Sequence, residues 1–258
     1  IYLKALDRII WLTWGRASSS KEYREKAKSV LRRLHKSDIE SREDLMGEIG
    51  LDPSVEDDVD QFNKVMRPLQ GKKSSNPLGL CFVGQTSVED EDHHWLSRSV
   101  FDATEGNLRT SVVAFLNGED GENPSQARVM DQLLYLCYSN ASQTARYKPI
   151  GRSVLSRLIE EGQVSKQDLM REAGLNPRSE SDDRRFRRAM QYLKGNWDSE
   201  RKNPLHTENH GFVVSTVQEG STAYFEVSPG EFRRSMNVVV KSVRAFLGSD
   251  PAASVVRV

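Results

Sequence analysis

The chain has 258 residues, with 37 Lys/Arg against 37 Asp/Glu and a formal net charge of zero, so no global basic signature marks it for a polyanion. No apolar run approaches the roughly 18 residues that span a bilayer, so no membrane segment is expected. Cys81 and Cys137 suggest neither a disulfide framework nor a metal site, and a reducing, cytoplasmic setting without a secretory signal is expected.

The dominant feature is internal. Residues 7–71 recur at 131–195 with a constant offset of 124 and no gap, and 24 of the 65 aligned positions are identical. The period is too long for a solenoid and suits one small domain per copy. The length accommodates two such domains, 1–122 and 123–258, joined through the polar, Gly/Pro-bearing stretch between Gly118 and Gln126. Charge is unequally shared. Residues 1–130 carry 18 Lys/Arg against 22 Asp/Glu, and residues 131–258 carry 19 against 15. The copies have either specialised electrostatically or drifted in solvated surface charge.

In chain order, Leu3, Leu6, Ile10 and Trp14 fall at helical spacing in a first helix, Ile1 to Trp14, matched by about 127–138. Trp11, Trp14, Tyr135 and Tyr138 on these helices suit core packing, a cavity or a dimer seam. A second helix is expected over 21–35, with Val30, Leu31 and Leu34 buried, and over 146–160, with Val154, Leu155 and Leu158 buried. Ser41 to Met46 and Ser165 to Met170 each place Ser three residues before Asp, a capping-box start. In it the Ser oxygen accepts an orphan amide and the Asp returns the bond. Each short helix should stop at Gly50 or Gly174, where a left-handed position costs Gly little, and Pro53 or Pro177 follows.

A further helix is expected over 56–70 and 180–194. Phe62, Met66 and Leu69, like Phe186, Met190 and Leu193, are spaced i, i+4, i+7, and Gly71 and Gly195 close the helices. Pro68 is expected to loosen the last turn of the first. The helical period then ends. Residues 211–217 and 222–227 read as a hairpin around a turn at Gln218–Ser221. In copy one the strands are expected at 80–86 and 94–97, around an acidic loop from Ser87 to Asp92. A last helix is expected over 107–117 and 230–247.

A short capped helix, a tight Gly turn, a second helix and a hairpin is the order of a winged helix-turn-helix, and each copy resembles a winged-helix DNA-binding domain. The resemblance implies an α+β fold, mostly α with small β-hairpins: two tandem winged-helix domains from an internal duplication. It also implies that the helix over 180–194, and less readily that over 56–70, enters the major groove of double-stranded DNA.

With Phe186 pointing inward and about 100° per residue, Ser181, Arg184, Arg188 and Gln191 fall on the opposite side, flanked by Arg185 and Arg187. This composition suits guanine, adenine and phosphate. The alternative is a solvated face paired locally with Glu180, Asp182 and Asp183. The first-copy face has Asp57, Asp60, Lys64 and Arg67, flanked by Gln61 and Asn63, and its acids would repel phosphate. Lys194 completes the second-copy set. The loops before the hairpins add Lys72 and Lys73 in copy one, and Trp197, Arg201 and Lys202 in copy two. Trp197 either stacks on a base or covers a core edge. Neither wing tip is built for phosphate.

No catalytic constellation is legible, and no cofactor or metal is expected. His93 and His94 beside Glu91 and Asp92 would point to opposite faces of a strand. His206 and His210 read as solvated, and the run Glu56–Asp60 as a helix start favoured by the dipole. The functional expectation is a DNA-binding regulator or site-specific binder in transcription, replication or defence-system control, not an enzyme. The alternative is a protein-interaction subunit of a larger DNA-associated complex, since tandem winged-helix proteins of similar layout serve as kleisin-binding subunits. Acidic copy one would then meet the protein partner. RNA binding ranks last, because no paired aromatic platform is evident.

Overall fold

The computed structural model describes residues 2–14, 21–72, 76–119, 126–138, 145–195, 211–217 and 222–248. The chain forms two compact units, Ile1–Leu108 with Val240–Val258, and Arg109–Val239. Both are mostly helical, and each holds one small antiparallel three-stranded sheet. The boundary expected near residue 122 falls on residues 120–125, outside the described residues.

Unit 1 runs α1 (Tyr2–Trp14), α2 (Lys21–Lys36), β1 (Glu40–Ser41), α3 (Arg42–Glu48), α4 (Glu56–Leu69), β2 (Val83–Val88), β3 (Glu91–Leu96) and the start of α5 (Arg98–Leu116). Unit 2 takes the rest of α5, then α6 (Gln126–Tyr138), α7 (Lys148–Glu161), β4 (Val164–Ser165), α8 (Lys166–Glu172), α9 (Glu180–Leu193), β5 (Val213–Val217), β6 (Ala223–Val227) and the start of α10 (Pro229–Leu247). The last turns of α10 belong to unit 1. There Arg244 Nε pairs with Asp102 at 2.5 Å, and His35 stacks on Phe246 at 4.7 Å while its Nδ1 donates to the Phe246 carbonyl at 3.0 Å.

Local chemistry repeats between the units. Ser41 Oγ accepts the amide of Asp44 at 3.1 Å, and Ser165 Oγ accepts that of Asp168 at 3.2 Å. The returned bond is not the expected one. Asp44 and Asp168 accept from the Ser hydroxyl itself, at 2.9 and 2.6 Å, because Asp is a methylene shorter than the Glu of a full capping box. Both helices close at left-handed Gly50 (φ +70°) and Gly174 (φ +67°). The amides of Leu51 and Leu175 reach back to Met46 and Met170 at 2.9 and 2.8 Å, the six-to-one bond of a Schellman stop.

The sheets have orders β1-β3-β2 and β4-β6-β5, with Glu40 opposite His94 and Val164 opposite Phe225. The buried stripes of α2 (Val30, Leu31, Leu34) and α7 (Val154, Leu155, Leu158) belong to the cores, with Leu45, Phe62 and Phe82 in unit 1 and Leu169, Phe186 and Phe212 in unit 2. Each such side chain contributes about 1.5–3 kcal/mol through burial. Trp11, Tyr135 and Tyr138 are buried, and Tyr138 donates to the Ala189 carbonyl at 2.9 Å.

Several expectations need correction. The two-residue strands β1 and β4 have no period of their own. The first-copy acidic loop is mostly strand, because β2 and β3 extend to a two-residue turn, Glu89–Asp90, with φ of 52° and 66°. α5 starts at Arg98 rather than near 107, capped by Ser97 Oγ on the Val100 amide at 3.3 Å and seated by Phe101 on Phe82 at 5.3 Å. Pro68 does not open the end of α4, which closes through the Lys72 amide on the Arg67 carbonyl at 3.1 Å.

Candidate nucleic-acid interface

The loop into α9 is fixed before any exposed group is placed. Ser179 Oγ caps the Asp182 amide at 3.3 Å, and the Asp182 carboxylate accepts the Asn176 amide at 3.0 Å. α4 begins at Val55 without a side-chain cap and shares only the second bond, with Asp58 accepting the Asp52 amide at 2.8 Å. Part of the acidity of both helix starts is therefore structural.

Burial of Phe186, Ala189, Met190, Tyr192 and Leu193 turns the opposite side of α9 outward. Ser181, Arg184, Arg185, Arg187 and Gln191 are exposed, and Arg188 and Lys194 are half-buried. Local pairing takes up some of the cations. Arg185 meets Asp182 at 3.2 Å, and Arg187 and Lys166 both pair with Asp183, whose carboxyl is held below its ordinary range chiefly by the Lys166 hydrogen bond. Arg188 Nη1 donates to Gln191 Oε1 at 3.2 Å. Arg184 has no ion-pair partner among the described residues.

Two ridges result. Arg184 and Gln191, exposed, line up with half-buried Arg188 at i, i+4, i+7 on the outer side of the helix. Arg187, Gln191 and Lys194, at the same spacing, border an open groove between α9 and β6. Its floor is Phe186, Met190 and Phe225, and its rim Lys166, Arg187 and Lys194. Lys194 Nζ donates to Ser215 Oγ at 2.9 Å and lies 4.8 Å from the Phe225 ring centroid, and burial lowers its pKa.

No family model, curated protein or solved structure matches the chain.

The corresponding surface of unit 1 has different chemistry. Asp60, Lys64 and Arg67 are exposed, and Gln61 accepts from Lys26 Nζ at 2.7 Å. Gln70 occupies the Lys194 position and donates to Gln85 at 2.8 Å. His94 occupies the Phe225 position, edge-on to Phe62 at 6.0 Å, with Arg42 over the other ring at 5.9 Å from its centroid. His94 is 3 % exposed, neither ring nitrogen has a hydrogen-bond partner of ordinary geometry among the described residues, and burial pushes its pKa down to about 4. His93 donates instead to the Glu91 carbonyl at 3.1 Å, so the two imidazoles do not converge. At the hairpin tip Asp92 accepts from Ser87 at 2.7 Å, which lowers its pKa.

Lys72 is exposed just beyond the end of α4. Lys73, Trp197, Arg201 and Lys202, with His206, His210 and the Gln218–Ser221 turn, lie outside the described residues. Three groove contributors carry no periodic signal in the sequence: Lys166, Ser215 and Phe225. Strand pairing delivers them, and only the Gly-flanked β-rich run hinted at it. Among the described residues no group of three His, Cys, Asp or Glu could hold a metal, and no helix is long and apolar enough to cross a membrane.

Proposed function

We propose that this chain binds double-stranded DNA through unit 2, as two winged-helix domains descended from one duplicated unit, with α9 lying in the major groove. One observation carries the proposal: the solvent-facing Arg184–Arg188–Gln191 ridge, in which Arg184 has no carboxylate partner among the described residues. A guanidinium forks onto guanine and an amide onto adenine, each good bidentate pair being worth about 1–3 kcal/mol of discrimination. The helix, short strand, helix, helix, hairpin order in both units supports the fold reading. The role is that of a regulator or site-specific binder, with no catalysis assigned to the chain. Two linked modules raise effective concentration on adjacent sites without dimerisation. A cytoplasmic location suits Cys81 and Cys137, both free thiols.

The test is duplex affinity of the wild type against Arg184→Ala/Arg188→Ala over a salt series. The double variant should lose at least about tenfold, and unchanged binding removes the ridge from the mechanism. A second reading rests on the Glu89–Asp92 hairpin tip of unit 1, which suits a basic protein partner. Absence of duplex binding at low salt, where phosphate attraction is strongest, favours that reading.

A further inference from the structure

We infer that the groove between α9 and β6 is a phosphate seat, in which Lys194, with Arg187 beside it, holds one backbone phosphodiester of the bound duplex. The inference rests on the DNA-binding reading and adds to it a second site with its own role. The solvent ridge reads bases, and the groove fixes register on the backbone.

Lys194 is the starting point. Its ammonium carries three donors, and its partners are the neutral Ser215 hydroxyl and the Phe225 ring face. No carboxylate reaches it among the described residues. A half-buried cation without a counter-ion is costly, and an anion entering the groove completes it. The rim around it is also cationic. Lys166 and Arg187 share the single carboxylate of Asp183, which cannot satisfy the five donors of a guanidinium and three of an ammonium together.

The floor is apolar, from Phe186, Met190 and Phe225. A charged rim over an aromatic floor suits a phosphate carried on a sugar better than a hydrated ion. Position agrees. Lys194 lies six residues beyond Arg188, about 9 Å along a helix axis, within the roughly 12 Å width of the major groove. Side chains of the ridge can therefore face base edges while Lys194 meets the groove wall.

The chain contains its own control. At the equivalent place in unit 1, Gln70 and Gln85 close on each other at 2.8 Å, Asn63 replaces Arg187, and the neutral His94 replaces Phe225. The seat belongs to unit 2 alone.

The experiment uses the full chain and a fluorescently labelled duplex, with affinity measured from about 50 to 200 mM salt. Lys194→Gln, which installs the residue native to unit 1, should flatten the slope of log affinity against log salt by about 0.9, the value of one released counter-ion. It should weaken binding to all sequences equally. Lys194→Arg should keep the slope, and Lys194→Gln/Arg187→Gln should flatten it no further than Lys194→Gln alone, since both cations meet the same phosphate. Thermal melting verifies that each variant is folded. Unchanged slopes in both Gln variants overturn the seat while leaving the base-reading ridge standing. Loss of sequence preference with an unchanged slope also overturns it, since that is the behaviour of a base contact. Failure of the wild type to bind duplex at low salt overturns the parent reading, and is distinguishable because no slope then exists.

Discussion

Units 1 and 2 present the same helix to solvent with opposite chemistry. The inward positions of α4 and α9 are identical at Phe62/Phe186, Met66/Met190 and Leu69/Leu193. From Asp60/Arg184 onward the outward positions differ: Asp60/Arg184, Gln61/Arg185, Asn63/Arg187, Lys64/Arg188, Arg67/Gln191 and Gln70/Lys194. Packing constrains a side chain by volume and rotamer, whereas an exposed position is constrained only by what it meets. The comparison separates the two pressures within one chain. The scaffold is shared, and the proposed DNA surface belongs to one unit.

The largest expected effect tests the shared scaffold. Phe62→Ala and Phe186→Ala should each destabilise their unit by about 3–5 kcal/mol in denaturant unfolding. Values that differ severalfold between the units would break the equivalence. The next tests the unshared surface. Asp60→Arg/Asn63→Arg/Gln70→Lys, which gives unit 1 the charges of unit 2, should steepen the salt dependence of duplex binding by about 0.9 for each added phosphate contact. No change would mean that charge alone does not make the surface.

A third prediction exploits one core difference, His94 against Phe225. His94 has its folded-state pKa lowered to about 4 from an ordinary 6.5. The unfolded chain therefore binds the proton more readily than the folded one. The stability of unit 1 should be full above about pH 6.5 and fall progressively as the pH drops toward 4. His94→Phe should abolish that part of the acid sensitivity and add about 1–2 kcal/mol at neutral pH by removing an unsatisfied buried polar ring. Phe225→His should transfer the sensitivity to unit 2. Melting curves against pH decide it, and an unaltered acid profile in His94→Phe counts against the assignment. The smallest effect is at the caps: Ser41→Ala and Ser165→Ala should each cost about 1 kcal/mol, equally in the two units, measured by denaturant midpoint.

What could be read from the sequence was local. Helix periods, the Ser caps and the Gly50 and Gly174 stops are set by residues three or four apart, and the helices other than α5, with the hairpin of unit 2, fell close to their expected places. The rest depends on partners distant in sequence. β1 and β4 exist only because β3 and β6 pair with them, and that pairing brings Phe225 to the groove beside Lys166. The start of α5 was hidden because its seat, Phe101 on Phe82, is a tertiary contact. The choice between the proposed DNA-facing and a locally paired arginine face was open in sequence because one helix can carry paired and unpaired guanidinium groups side by side. Arg185 and Arg187 pair with Asp182 and Asp183, and Arg184 does not.

The most direct measurement is a titration of the amide resonances of the full chain with a DNA duplex at about 50 mM salt, where phosphate attraction is strong. Shifts concentrated at Arg184, Arg188, Gln191 and Lys194, with Asp60, Lys64 and Arg67 unmoved, are the predicted result. Shifts confined to the unit 1 residues, or none in either unit, would contradict the account.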